Sequence, residues 1–305
     1  MHDVLSLRQA VLATVHYFDL IDFAPSLFEV EEFLYGWSAP LDALEQAIKG
    51  MPEIETDGEF YFLTGRKELA LQRHHQKRCA QKLWKKIRRW AFLPVLCPFV
   101  RMVAVVNSAS LGKVTEKSDI DFLIVTKRGK LATTRFFMKV ITQIFGLRAH
   151  HEKKAGRFCL SFFITEDALN LAPLAHSFDP HLAYFVRQAV PLYGAKTYEH
   201  FLRANDHWTI PYFKRPLKGR LSELKPRRLA SLVRSLKEGF LYLMGNLLEK
   251  ILYTFQKQKD ERRRKNFPTS QGIIMNKNVF KFHENDPRAD IAQKFEARLE
   301  GLSAA

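Results

Sequence analysis

Ligands for soft metals and partners for disulfides are scarce in this sequence. Its three cysteines, Cys79, Cys97 and Cys159, are far apart and form no C-x-x-C pair. Disulfide frameworks and zinc ribbons need paired or closely spaced cysteines, so neither is predicted, and we expect a reducing, cytoplasmic location. The adjacent pairs His74-His75 and His150-His151 point in divergent directions on any regular element, and they are not predicted to bind metal.

Long apolar runs are also lacking. The most apolar stretch, residues 239–255, is interrupted by Asn246, Glu249 and Lys250, which is typical of an amphipathic helix and not of a membrane span. The N-terminus carries an early acid, Asp3, and no cleavage site of small residues, so no signal peptide is expected. The sequence therefore predicts a folded protein without a transmembrane segment.

Acidic residues are too few to balance the basic ones. The 305 residues include 48 Lys and Arg against 32 Asp and Glu, a formal net charge of +16. Such an excess favours phosphate-bearing or polyanionic partners, although a solvated basic surface is the alternative. Neither interpretation bears on the fold, and the oligomeric state is not predicted.

The basic residues are concentrated in one segment. Between Arg66 and Arg89 there are ten Lys and Arg and a single acid, Glu68. We predict a basic connecting helix over residues 66–95, which either covers the next domain with its polar side in solvent or contacts nucleic acid or another polyanion. Its apolar stripe comprises Cys79, Leu83, Ile87 and Trp90.

The N-terminal part has a recognisable order of elements. Apolar residues spaced by three and four predict a helix over residues 3–18, and further helices are expected near Ser26 and Ala39. Two β-prone runs follow, joined by Asp57-Gly58, which favours a type I′ hairpin. Three short helices followed by a hairpin is the winged-helix order.

The predicted winged-helix-like domain, residues 1–65, is poorly suited to recognise DNA. Its third helix carries Asp42 and Glu45 with only Lys49 as a base. Recognition helices present Arg, Lys, Asn or Gln to the major groove. We therefore expect this domain to be a packing or protein-interaction unit.

The remaining chain divides into two predicted regions. Strands at residues 100–106, 121–125 and 158–164, with a helix at 131–146, describe a compact α/β unit with a small mixed sheet, to which we assign residues 96–212. Residues 213–305 are predicted to be a helical C-terminal region, with an exposed loop at 257–272 and a last helix from about Pro287 to Leu302.

Two aspartates stand one residue apart at the start of an apolar run. In a strand Asp119 and Asp121 point to the same face while Ile120 enters the core. Two carboxylates so close repel each other unless a cation lies between them. Mg²⁺ fits, because it takes hard oxygen ligands and keeps positions open for phosphates. Ser108, at the end of the preceding strand, could hold such a phosphate.

The run Asn107-Ser108, followed by Ser118-Asp119-Ile120-Asp121, resembles the signature of the DNA polymerase β-like nucleotidyltransferase superfamily. That signature is Gly-Ser at a strand end, a spacer of about ten residues, and Asp-x-Asp on the next strand. The resemblance implies that the aspartates bind Mg²⁺ or Mn²⁺ carrying a nucleoside triphosphate. A nucleoside monophosphate then passes to an acceptor, and pyrophosphate leaves.

The resemblance also implies nucleotide-binding residues. Asn107, Ser108 and Ser118 belong to the motif itself. Lys113, in the spacer, either meets a phosphate or is a solvated loop lysine. Arg135, at the start of the helix after the second strand, either faces the cleft or forms a surface ion pair.

This sequence departs from the superfamily pattern at two positions. Asn107 replaces glycine, which is tolerable because Asn adopts left-handed backbone conformations more readily than other residues with a side chain. The third catalytic carboxylate is expected on a later strand, where Ser161 occupies the corresponding position.

Nearby acids could replace the missing carboxylate. Glu152 precedes the strand, and Glu166 and Asp167 follow it. The segment after the strand is equally an ordinary helix start with Thr165 as its cap. Two hypotheses therefore stand: a Mg²⁺-dependent nucleotidyltransferase, or a catalytically degenerate relative that serves as a nucleotide- or nucleic-acid-binding module.

Overall fold

The computed structural model of the protein describes residues 5–149, 153–217, 219, 236–242, 247–267 and 272–303. The fold is mixed α/β and is organised around a mixed β-sheet. Within the described residues, every helix is too short or too polar to cross a lipid bilayer.

The N-terminal unit has the predicted order of three helices and a hairpin. Ser26 begins the second helix with a capping box, in which Glu29 accepts the Ser26 backbone N–H while the Ser26 hydroxyl accepts that of Glu29. Apolar residues from all five elements form one small core. The elements are α1 (Leu7–Leu20), α2 (Leu27–Glu32), α3 (Leu41–Ile48), β1 (Ile54–Thr56) and β2 (Tyr61–Leu63).

The turn of this hairpin differs from the prediction. A type I′ turn needs positive φ at both central residues, but only Gly58 of the predicted pair has one, at 95°. The loop between the strands has four residues instead. The Asp57 carboxylate accepts the backbone N–H groups of Glu59 and Phe60 at 3.0 and 2.8 Å, and this side-chain bonding holds the longer loop.

The predicted basic connector is a continuous helix, α4 (Lys67–Trp90), followed by the short α5 (Phe92–Leu96). Its first turns pack on the hairpin through Leu69 and Ala70. Further along, Cys79 and Ile87 enter the main core, so the helix covers the next unit. The opposite side is exposed and carries Lys82, Lys85, Arg88 and Arg89.

The main sheet has six strands in the spatial order β6-β3-β4-β5-β8-β7. Only β4 and β5 are parallel, and all other neighbouring pairs are antiparallel. The strands are β3 (Val100–Val105), β4 (Ile120–Thr126), β5 (Phe158–Thr165), β6 (Val190–Tyr193), β7 (Ile273–Met275) and β8 (Val279–Phe282).

Helices cover both faces of this sheet. On β4, Ile120, Phe122 and Ile124 join the core beneath α4, α5 and the helix at residues 131–144. Leu123 and Val125 join the core on the other face, beneath the helices at residues 180–188 and 195–213. Two 3₁₀ turns, Glu166–Ala168 and Ala172–Leu174, follow β5. Further helices are α6 (Asn107–Leu111), α7 (Leu131–Ile144), α8 (Pro180–Gln188), α9 (Ala195–Phe213), α10 (Leu247–Arg264) and α11 (Arg288–Ser303), and residues 236–242 are helical as well.

The C-terminal region is not purely helical, which corrects the prediction for residues 213–305. Strands β7 and β8 extend the main sheet beyond β5. These strands have only three and four residues, and all four positions of β8 are buried, so neither shows the alternation that identifies a half-buried strand. The predicted last helix is present as α11.

The loop predicted for residues 257–272 is helical as far as Arg264, where α10 ends. The charged residues of this stretch, Lys, Arg and Glu, are good helix formers. Its packing against α7 is fixed by a buried pair: the Arg135 guanidinium donates to Asp260 at 2.5 Å and to Gln256 at 2.8 Å. Residues 268–271 of the predicted loop lie outside the described residues.

Candidate functional site

The two aspartates stand at the start of β4 and face a cleft. Ile120 between them is fully buried, and Asp119 and Asp121 point to the opposite side, as the strand period requires. The cleft has a volume of about 650 Å³. Its lining residues come from the N-terminal unit, the sheet, α8 and the segment after β8.

One wall of the cleft is the edge formed by β4, β5 and the turn after β3. Asn107 and Ser108 are the first residues of the short helix α6, which makes that turn, and Cys159 and Ser161 lie on β5. The other wall has Tyr17 and Phe18 of α1, His181 of α8, and residues 281–288. The sequence motif therefore occupies one side of a cleft that two distant chain segments close.

Asn107 adopts the left-handed backbone conformation that favours glycine. Its φ is 55°, as the sequence predicted for this substitution. The side-chain amide donates to the Asp121 carboxylate at 3.1 Å. Asn107 thus shapes the turn and also orients one of the two carboxylates, which glycine could not do.

Cys159 is the residue on β5 that lies beside the aspartates. It is paired with Asp121 in the parallel register, and ligand atoms of Asp119, Asp121 and Cys159 lie within 4.8 Å of one another. The next pair is Leu123 with Phe162, so β5 has one more residue here than β4, a bulge. Ser161 lies in that bulge, two residues beyond Cys159. It is therefore further from the aspartates than the position predicted for the third carboxylate.

Ser161 instead connects β5 to the opposite wall. Its hydroxyl lies 3.1 Å from Nε2 of His283 and 3.4 Å from the Cys159 sulfur. Burial, followed by the charge of Lys281, lowers the pKa of His283 to about 4, so its ring is neutral at pH 7. No spacing pattern in the sequence links residue 161 with residue 283.

The aspartates are held in an environment that disfavours their charge. Burial, followed by the charge of Asp119, raises the pKa of Asp121 to about 6. Burial also raises the pKa of Asp119, and the nearby Lys154 ammonium opposes this shift. A cation between the carboxylates would remove their repulsion. The Lys154 ammonium, which lines the cleft, offsets only part of it, because the pKa of Asp119 remains raised.

The predicted nucleotide-binding residues are only partly brought together. Ser108 and Lys113 line the cleft, and the Lys113 ammonium donates to the Ile21 carbonyl. Ser118 does not line it; its hydroxyl accepts from the Thr115 backbone N–H at 2.9 Å and shapes the turn before Asp119. Arg135 is buried against α10, on the other side of the sheet, and is not brought to the cleft.

The acids considered as substitutes for the third carboxylate are engaged elsewhere. Glu166 lies 3.8 Å from Arg101, and Asp167 lies 3.0 Å from Arg128. Glu152 lies outside the described residues. The predicted cap at Thr165 is not formed by its side chain, and the segment after it is a single 3₁₀ turn.

A charge network that the sequence analysis did not identify forms the far wall. Lys281 donates to Asp286 at 2.8 Å, and Arg288 bonds both Asp286 and Asp179 at about 2.9–3.0 Å. Two buried cations thus meet two buried anions, which fixes residues 281–288 against α8. The sequence signal was the run Lys281 to Arg288, which combines all these residue types within eight positions.

No family model matches this chain, and comparisons with curated proteins and with solved structures found no match either. Function must therefore be inferred from the cleft and from the motif that lines it.

The raised pKa of Asp121 has a consequence for the metal-free protein. Its value of about 6 exceeds that of an unfolded Asp, about 3.9, so the folded state binds this proton more tightly. Below about pH 4 the group is protonated in both states, and as the pH rises through the folded pKa its ionisation destabilises the fold. Asp121→Asn removes this titration and keeps the side-chain shape.

We expect Asp121→Asn to raise the free energy of unfolding by about 2 kcal/mol near pH 8 in chelator, and to leave it unchanged below about pH 4. Urea denaturation at several pH values measures this difference. Asp42→Asn, at an exposed position of α3, is the matched control. A gain that is the same at every pH would contradict the assignment.

Proposed function

We propose that this chain is a Mg²⁺-dependent nucleotidyltransferase, which moves a nucleoside monophosphate from a nucleoside triphosphate to an acceptor. The observation that carries the proposal is the pair Asp119 and Asp121 on one face at a strand start, directed into a cleft beside the Asn107-Ser108 turn. Resemblance to the DNA polymerase β-like superfamily supports the same conclusion. On this proposal the sheet is its nucleotidyltransferase core, preceded by a winged-helix-like domain.

The donor set suits a hard divalent cation. Asp119 and Asp121 offer carboxylate oxygens, which Mg²⁺ and Mn²⁺ prefer. Burial, followed by the charge of Asp121, raises the pKa of Cys159, so this group remains a thiol and is a poor ligand for Mg²⁺. When bound, the ion supplies charge neutralisation for the triphosphate. The cleft volume, about 650 Å³, falls in the range of ligand pockets.

The chain's own groups would orient the phosphates. Ser108 presents a hydroxyl to the same cleft as the aspartates, and Lys154 adds a positive charge there. Lys113 lines the cleft but already donates to the Ile21 carbonyl, so it joins α1 to the motif turn. Positioning and charge neutralisation are the main contributions that a protein makes to phosphoryl and nucleotidyl transfer.

His283 is our candidate for accepting the acceptor's proton. Its ring is neutral at pH 7, lies in the cleft and reaches Ser161 at 3.1 Å. A neutral imidazole can take a proton that the absent third carboxylate would otherwise take. On this proposal His283, on the far wall of the cleft, accepts the proton that a carboxylate on β5 would otherwise accept.

Transfer activity tests the proposal directly. Purified protein is incubated with each labelled nucleoside triphosphate and Mg²⁺ or Mn²⁺, alone and with total cellular RNA and protein. We expect labelled product whose formation depends on the metal. It should be lost in Asp119→Asn and in Asp121→Asn, because each variant removes one of the two carboxylates that bind the cation. Equal labelling by wild type and both variants would refute the assignment.

The position of the missing carboxylate can be tested by restoring it. Cys159 is paired directly with Asp121, whereas Ser161 lies two residues further along β5. Since acid–base assistance is typically worth about 10²–10⁴-fold, Cys159→Asp should increase the transfer rate clearly, and Ser161→Asp should increase it less or not at all. A faster Ser161→Asp with an unchanged Cys159→Asp would restore the sequence-based assignment. Melting temperatures of both variants identify any loss that is due to folding.

A second candidate function is a catalytically degenerate module that binds nucleotide or nucleic acid. The observation that favours it is the absence of any carboxylate on β5, where Cys159 and Ser161 face the cleft. The exposed Lys and Arg side chains of α4 can contact a polyanion, whereas α3 exposes the acidic side chains Asp42 and Glu45. We therefore infer that nucleic acid, if it binds, contacts α4 and not the third helix.

Charge reversal of Lys82, Lys85 and Arg89 tests this contact. Each phosphate contact contributes to the dependence of affinity on salt, so the triple variant should bind RNA and DNA more weakly, with a slope of log K against log salt reduced by about 2. The control reverses Lys196, Lys257 and Lys259, which are exposed on α9 and α10 and give the same change in net charge. An equal loss in both triple variants would indicate nonspecific charge alone.

A further inference from the structure

A second group of metal-ligand residues lies outside the cleft. His75 and Cys79 are four residues apart on α4, so they share one face of the helix. Glu116, in the loop between α6 and β4, reaches the same point. The widely spaced cysteines predicted no zinc site, and only the fold brings the third ligand from a distant part of the chain.

The distances between these groups match a zinc coordination shell. His75 Nε2 lies 3.1 Å from the Glu116 carboxylate and 3.5 Å from the Cys79 sulfur, and the ligand atoms of all three lie within 4.8 Å of one another. Around tetrahedral Zn²⁺, with Zn–N near 2.05 Å and Zn–S near 2.3 Å, neighbouring ligand atoms are about 3.3–3.6 Å apart. One ion therefore fits between them with little movement of the side chains.

Without a cation these three groups bond to one another: His75 Nε2 contacts both partners, and the Cys79 side chain also bonds the Glu116 carboxylate. In neutral imidazole this nitrogen carries at most one hydrogen, so it either donates to Glu116 or accepts from the Cys79 thiol. A cation bound to all three groups satisfies them together.

We propose that His75, Cys79 and Glu116 form a Zn²⁺ site, separate from the aspartates of the cleft. Imidazole and thiolate ligands select Zn²⁺ over Mg²⁺. The His75 and Glu116 side chains are 46% and 67% exposed, so a fourth coordination position opens to solvent and takes water. The inference does not depend on the proposed transfer reaction.

A bound ion would tie α4 to the turn that leads into β4. Glu116 lies within the loop whose Thr115 and Ser118 are hydrogen-bonded, and Asp119 follows directly. Zinc occupancy should therefore stabilise the whole fold and order the approach to the aspartates. Because the Cys79 thiol must lose its proton on binding, apparent affinity should rise about tenfold per pH unit below the thiol pKa.

Cobalt substitution tests the site in the full-length, untagged protein. Co²⁺ bound here gives a thiolate-to-metal charge-transfer absorption and the visible bands of a tetrahedral ion, and added Zn²⁺ abolishes both. We expect both signals to vanish in Cys79→Ser and in His75→Ala, and to weaken in Glu116→Gln. Binding should also raise the melting temperature of wild type, and not those of Cys79→Ser and His75→Ala.

The matched controls are Cys159→Ser and His74→Ala. Cys159 stands beside the aspartates, and His74 contacts Asp57 at 2.8 Å on another side of α4. Both variants should keep the cobalt spectrum. Loss of the thiolate band in Cys159→Ser but not in Cys79→Ser, or no thiolate band in wild type, would overturn the proposal. His75→Ala lies at a half-exposed position, so its result does not depend on core packing.

Discussion

The arrangement of the cleft depends on one unfavourable interaction, the repulsion between two partly buried carboxylates at the start of β4. Burial and mutual charge raise the pKa of Asp121 to about 6. Carboxylates with such raised pKa values are typical of functional sites, where their unfavourable interaction is retained because the site needs them. A cation bound between the two carboxylates would convert their repulsion into attraction. The turn at Asn107, the parallel pairing of β4 with β5 and the position of Cys159 all serve to hold these two side chains.

The cleft is assembled from three separated parts of the chain. The motif lies on the central strands, α1 of the N-terminal unit supplies aromatic side chains, and residues 281–288 close the far side. The last of these is fixed by the buried charges of Lys281, Asp286, Arg288 and Asp179. Apolar contacts of α1 with α8 and α11 tie the N-terminal unit to the same region. The flanking regions are therefore parts of the site and not merely appendages.

Local patterns predicted those elements whose formation depends on nearby residues. The central strands, the helix α4 and a helix start near Ser26 were evident from spacing and residue type, and the resemblance to the Gly-Ser signature indicated the left-handed Asn107. Strands β7 and β8 were not evident, since they have only three and four residues; β8 pairs with β5, more than a hundred residues away, and β7 pairs in turn with β8. Arg135 was misplaced because the sequence could not show that Asp260, on α10, would bury it. Cys159 and His283 likewise became site residues only through sheet register and tertiary contact.

Whether a cation lies between the two carboxylates is tested most directly by an anomalous diffraction map of crystals grown with Mn²⁺ and a nucleoside triphosphate whose α,β-bridging oxygen is replaced by a methylene group. We expect a manganese peak within coordinating distance of both Asp119 and Asp121, with the triphosphate extending past Ser108 in the cleft. A map with nucleotide elsewhere, or with no manganese between these two carboxylates at saturating concentration, would contradict it.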